Sequence, residues 1–142
     1  MDEKHIFSSL CGRFRLNISG KIFQKMLNEC IKSGNLETGG ILIGHYSSDL
    51  KDIIITYATI PTKDSKKGQT IFHRGKSGLL EKLDNFWQNG EYYVGEWHFH
   101  PNYSSKPSGT DIKQMKYLGS SCKLKCPEPV LLVLGQNKKH GW

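Results

Sequence analysis

The run from Tyr92 to His100 closes on His98-Phe99-His100-Pro101, and that ending limits what the chain can build. Histidines two residues apart in an extended segment point to one face, so a single ion can reach both imidazoles. Pro101 has no N–H for a central ladder, which puts His100 at a strand end where a site can open to solvent. Ten residues further on, a carboxylate arrives behind the helix-start signal Pro107-Ser108-x-x-Asp111. Two neutral nitrogens, one carboxylate oxygen and a fourth position left for water describe a catalytic zinc centre, with His98, His100 and Asp111 as its ligands.

Strict alternation predicts Tyr92, Val94, Glu96, His98 and His100 on the site face of this strand. Tyr93, Gly95, Trp97 and Phe99 then fall on the core face. Glu96 shares the site face and competes for the role of ligand or base. A carboxylate immediately beside two ligating imidazoles reads first as an orienting group, so Glu96 ranks below Glu37.

The rest of the chain supplies a frame for that strand. Phe14–Ile18 alternates as a short strand. Ser19 caps a helical stripe of Ile22, Phe23, Met26, Leu27, Cys30 and Ile31, which stops at Gly34. Gly40–Gly44, Ile53–Tyr57 and Val130–Leu134 are near-continuous apolar runs, the pattern of buried strands. Leu79, Leu80, Leu83, Phe86 and Trp87 line one face of a second helix that ends before Gly90, and Ser108 opens a third through about Leu118. Residues 61–71 and 119–129 read as loops. Interleaved helices and strands predict an α/β sandwich, a mixed β-sheet flanked by helices. With 142 residues and no internal repeat or linker, a single domain over 1–142 is expected.

The formal charge is +7, carried by scattered lysines such as Lys63, Lys66, Lys113, Lys123, Lys138 and Lys139. A solvated surface accounts for it. Nucleic acid is the alternative, and an acidic protein partner would explain the same charge. No apolar run spans a membrane and no signal segment follows the polar Met1–His5 stretch, so a cytoplasmic protein is expected. Cys11, Cys30, Cys122 and Cys126 read as free thiols, because no second Cys/His pair accompanies the Cys122-x3-Cys126 spacing.

Two residues keep competing readings. Ser108 can serve the chemistry or simply cap its helix, since Ser-x-x-Asp is also a capping box. Glu37 opens Glu37-Thr38-Gly39-Gly40-Ile41-Leu42-Ile43-Gly44 at the mouth of a buried strand. It is a candidate general base, although a lone glutamate before a strand is also an ordinary loop residue. His73 and Arg74 are candidates for contact with a substrate tail, or surface residues at a helix start.

Taken together, Glu37, His98-x-His100-Pro101 and Ser108-x-x-Asp111 resemble the motif of the JAMM (MPN-plus) metalloproteases. Glu-Thr-Gly-Gly-x-Leu-x-Gly and Gly95-Glu96-Trp97-His98-x-His100-Pro101 are similar to the same family, the second to its bacterial members. The likeness runs from about Phe14 to Leu134. It implies a cytidine-deaminase-like sandwich, with zinc on His98, His100 and Asp111. It also implies Glu37 as general acid/base and Ser108 as hydrogen-bond donor to the oxyanion. Phe99 departs from the Ser or Thr frequent in the family, at a position expected to face the core. The implied activity is peptide or isopeptide cleavage after the C-terminus of a ubiquitin-like protein. The chain most resembles deconjugases encoded beside conjugation enzymes in bacterial antiphage operons, whose substrate can also be the tail of a cGAS-like nucleotidyltransferase. A processing peptidase for a sulfur-carrier protein and a RadC-like, DNA-associated protein are the alternatives. Cognate conjugation enzymes are possible partners, whereas a membrane or nucleic acid is not an expected one.

Overall fold

A computed structural model describes residues 2–101, 105–126 and 128–136. Lys138 and Lys139, among the scattered lysines, lie outside them, as do nine further positions of the expected 1–142 domain, including Pro127 of the 119–129 loop. The strands are β1 (Lys4–Ser8), β2 (Arg15–Ser19), β3 (Thr38–Tyr46), β4 (Asp52–Ala58), β5 (Lys66–Lys67), β6 (Phe72–His73), β7 (Tyr92–His100) and β8 (Val130–Gly135). The helices are α1 (Gly20–Ser33), α2 (Leu79–Trp87) and α3 (Gly109–Gly119). Six strands form one mixed sheet in the order β1-β2-β4-β3-β7-β8, with β2 parallel to β4, β7 parallel to β8 and the other pairs antiparallel.

Strands β3 and β4 outrun their apolar stretches at both ends, because ladder hydrogen bonds continue wherever a neighbour is present. Helix α1 begins where Ser19 accepts a hydrogen bond from the Ile22 N–H at 3.3 Å, and ends at Gly34. It lays Met26 and Cys30 on one sheet face, against Leu42, Val94, Trp97 and Phe99. Ile31, expected in that stripe, is exposed. The opposite face carries Ile41, Ile43 and Tyr93, covered by Leu79, Leu83 and Phe86 of α2. Leu80 and Trp87 of α2 point outward instead, at 57% and 62% exposure, so the apolar stripe of this helix is wider than the surface it covers.

Two elements lie outside the sequence expectation. Strand β1 pairs with β2 in register Lys4↔Ser19 through Ser8↔Arg15, but as an edge strand it is almost wholly exposed and shows no apolar alternation. The β5–β6 ladder, only two residues on each side, interrupts the expected loop 61–71. No helix among the described residues is long and apolar enough to cross a membrane.

Candidate active site

Strand β7 is buried on both faces, so its side chains are sorted by parity, and the parity shifts once. Gly95 pairs with Leu42 and Tyr93 with Ile43, which leaves Val94 as an extra residue in a β-bulge. Beyond the bulge the faces exchange. Tyr93 therefore shares a face with Glu96, His98 and His100, while Val94 joins Trp97 and Phe99 in the core. The expected face with Tyr92 and Val94 beside Glu96 is corrected accordingly. Phe99 is 1% exposed and packs in the core as expected, so its departure from Ser or Thr does not reach the site.

Register with β3 then assembles the site. Gly39 lies opposite His98 and Thr38 opposite Phe99, and Glu37 is the residue just before β3 at that end of the ladder. Glu37 is 5% exposed, and its backbone N–H donates to the Gly68 carbonyl at 2.8 Å. It is a buried carboxylate one residue before the strand that pairs with β7. Gly39 is required by the close approach: a Cβ there would collide with the Trp97 carbonyl oxygen and press on His98 Cδ2 at 3.0 Å. Phe72 of β6 closes the far side, its ring edge-on to His98 with centroids 5.7 Å apart. The apolar pair Ile71-Phe72 in a polar stretch was its only sequence signal.

The carboxylate of Asp111 comes from the first turn of α3, and the helix cap fixes its direction. The Asp111 N–H donates to Ser108 Oγ at 3.0 Å, and the Ser108 N–H donates to Asp111 Oδ2 at 2.8 Å. Ser108 is thus a helix cap. As its Oγ accepts that bond, the hydroxyl proton stays available to another acceptor, and the side chain is exposed. Both readings of Ser108 are compatible.

Asp111 Oδ1 lies 3.1 Å from His98 Nδ1, and Oδ2 lies 3.2 Å from His100 Nε2. Burial alone would raise the Asp111 pKa. Hydrogen bonds from His98 and from the Ser108 N–H outweigh it and hold the carboxyl well below the usual range. The ligand atoms of the three residues lie within 4.8 Å of one another. His98 Nε2 is buried without a hydrogen-bond partner among the described residues. Buried imidazole nitrogens are ordinarily satisfied, and an unpartnered one beside a shared carboxylate fits a metal ion.

Behind the cluster, Glu96 is fully buried. It accepts from Arg74 Nε at 2.6 Å and from the Tyr93 hydroxyl at 2.9 Å. Burial pushes its pKa up, and Arg74 and Tyr93 oppose the rise. Arg74 Nη1 also donates to the Gly75 carbonyl at 2.8 Å. The guanidinium therefore points inward, which corrects its reading as a surface residue at a helix start, since α2 begins only at Leu79. His73 is exposed. Sequence spacing offered no signal for the Arg74–Glu96 pair, whose members are twenty-two residues apart. Arg74→Ala strands a buried carboxylate and is expected to cost about 3–5 kcal/mol of stability. An unchanged urea midpoint would show that the pair carries no such load.

Residues 19–142 match the family described as prokaryotic homologs of the JAB domain. Over 129 residues the chain is 45% identical to a CD-NTase/cGAS isopeptidase of Enterobacter hormaechei subsp. hoffmannii, covering 91% of this chain and 72% of the relative. A probable metalloprotease of Sinorhizobium fredii is 26% identical over 121 residues, covering 82% and 73%. Among solved structures, a Desulfitobacterium hafniense protein superposes with a TM-score of 0.52 over 84% of this chain and 93% of that one. Its sequence identity is 18%, so this likeness speaks for the fold.

Proposed function

The chain belongs to the family of prokaryotic homologs of the JAB domain, and on that premise we propose that it is a zinc-dependent isopeptidase. Its substrate in this reading is the bond that joins the C-terminus of a ubiquitin-like protein, or of a cGAS-like nucleotidyltransferase, to an acceptor amine. The setting would be the cytoplasm of a bacterium defending itself against phage. The relatives named CD-NTase/cGAS isopeptidase support the nucleotidyltransferase as substrate. The single observation that supports the reading is the Asp111 carboxylate shared by two buried imidazoles, one of which keeps an unpartnered Nε2 among the described residues.

His98, His100 and Asp111 would hold the ion, and their donor set of two nitrogens and one oxygen suits zinc with an open fourth position. When bound, zinc supplies a Lewis acid for the scissile carbonyl and makes water more acidic. Glu37 takes the proton of the attacking water and returns it to the leaving amine nitrogen, so one water is consumed and a carboxylate and an amine are released. The Ser108 hydroxyl donates to the oxygen that gains charge as the carbonyl is attacked. Its cap bond to the Asp111 N–H holds it at that position.

The test is incubation of zinc-replete protein with candidate conjugates, followed by mass spectrometry for a newly freed C-terminus and a free amine. Chelators are expected to abolish cleavage and iodoacetamide to spare it. Cys11 is the thiol that alkylates first: hydrogen bonds from Ser9 and Arg13 lower its pKa to about 7, and it is exposed. Cys30 is pushed up to about 12 by burial and is protected. Loss of activity on alkylation with the metal retained would transfer the reaction to a cysteine and refute the metalloprotease.

A further inference from the structure

The site face of the sheet does not end at Glu96. Next to it, a cleft of about 410 Å³ runs between α2 and α3, floored by Ile41 and Tyr93. Its two lips expose large apolar groups that nothing among the described residues covers: Leu80 at 57% and Tyr117 at 68%. Leu79, Leu83 and Leu124 continue the apolar lining.

The charge of this cleft is one-sided. Arg74, Lys76 and Lys123 line it, with no carboxylate among the described lining residues. The neighbouring groove beside Trp87 contains Asp84 and the groove along α1 contains Asp2 and Glu29, while the groove beside Ile112 has Lys116 alone, so this cleft differs in gathering three cations. Arg74 is neutralised by Glu96, and the Asp64 carboxylate is held behind the rim by the backbone N–H groups of Lys76 and Ser77. The ammonium groups lining the cleft itself are those of Lys76 and Lys123. The cleft also lies beside the candidate site, with the Arg74–Glu96 pair between them. Tyr93 in its floor and the Glu96 partner of Arg74 lie on the same face of β7 as His98. Glu96 and His98 are two residues apart, about 6.6 Å along the strand.

We infer that this cleft docks an acidic segment of the conjugated substrate, one that seats a bulky apolar side chain between Leu80 and Tyr117 and sets carboxylates against Lys76 and Lys123. The inference rests on the isopeptidase reading for the identity of the protein that carries the segment. Apolar anchors in a desolvated groove supply the affinity, and the rim lysines supply selectivity and association rate.

The probe is a fluorescein-labelled decapeptide alternating Glu with Leu, titrated by anisotropy against the full chain, with Lys/Leu and Glu/Ser decapeptides for comparison. Saturable binding of the Glu/Leu peptide is expected, about tenfold tighter than either comparison peptide. The Lys76→Glu/Lys123→Glu pair should lose about that factor, and so should Leu80→Asp. Lys21→Glu/Lys32→Glu on α1 makes the same change in net charge and should leave binding within about twofold. Equal losses in the two charge-reversed pairs, or no loss in the first, overturn the cleft.

On a cleavable conjugate, Lys76→Glu/Lys123→Glu should raise KM and leave kcat. Peptide binding needs no cleavage. A chain that binds the peptide but cuts no conjugate therefore keeps the cleft and refutes the isopeptidase. A chain that cuts conjugates with KM indifferent to these lysines does the reverse.

Discussion

Glu37→Gln is expected to keep the fold and the metal while turnover falls by about a hundred- to ten-thousand-fold. Glutamine matches the side chain in shape but takes no proton, so the loss falls on kcat and leaves KM nearly unchanged. The buried position of Glu37 beside β7 makes the exchange conservative for packing. Ser108→Ala is expected to cost less than Glu37→Gln. A loss of roughly a hundredfold or more would mark an oxyanion donor, whereas a helix cap alone costs only about 1 kcal/mol of stability. Glu96→Gln should cost least in turnover, because that side chain is engaged by Arg74 and Tyr93. The measurement is turnover on one conjugate with metal content checked for each variant. Near-normal turnover in Glu37→Gln would remove it as the base and make Glu96 the next candidate.

The second large effect is on metal content. His98→Ala or His100→Ala should reduce zinc from about one per chain to almost none, since two protein ligands hold zinc poorly. The wild-type apoprotein should gain about 2.7 kcal/mol of stability at a free zinc concentration roughly a hundred times its Kd, and both variants should lose that gain. Asp111→Asn separates the two duties of that residue. The amide oxygen can still accept the Ser108 N–H and keep the cap, while the anionic ligand is gone. Elemental analysis with thermal melts in added zinc decides the matter. A histidine variant that keeps its zinc and its zinc-dependent melting shift would sink the assigned ligand set.

Much of this site was legible along the chain because its signals are local. The His98–His100 spacing, the proline stop and the Ser108–Asp111 cap each work within one strand or one helical turn. Strand β7 accordingly covers Tyr92–His100, the expected run, and α3 starts on the expected cap. Strand β1 was missed because an exposed edge strand needs only a neighbour's free hydrogen-bonding groups, which β2 supplies. The short β5–β6 ladder was missed because two-residue strands carry no period.

What the sequence by itself determined is the candidate ligand group: residue types and short spacings that bring His98, His100 and Asp111 within reach of one ion. Which side chains share its face was decided by tertiary structure alone. Parity along β7 depends on the bulge at Val94, and the bulge exists only in the register with β3, with Gly95 packed so closely on Val130 that no Cβ fits. That register also brings Thr38, the neighbour of Glu37, across from Phe99, sixty-one positions away in the chain. The Arg74–Glu96 pair likewise needs both elements folded before a buried carboxylate can find its cation. Local chemistry is written in short spacings, whereas a shared face is a property of hydrogen-bond register.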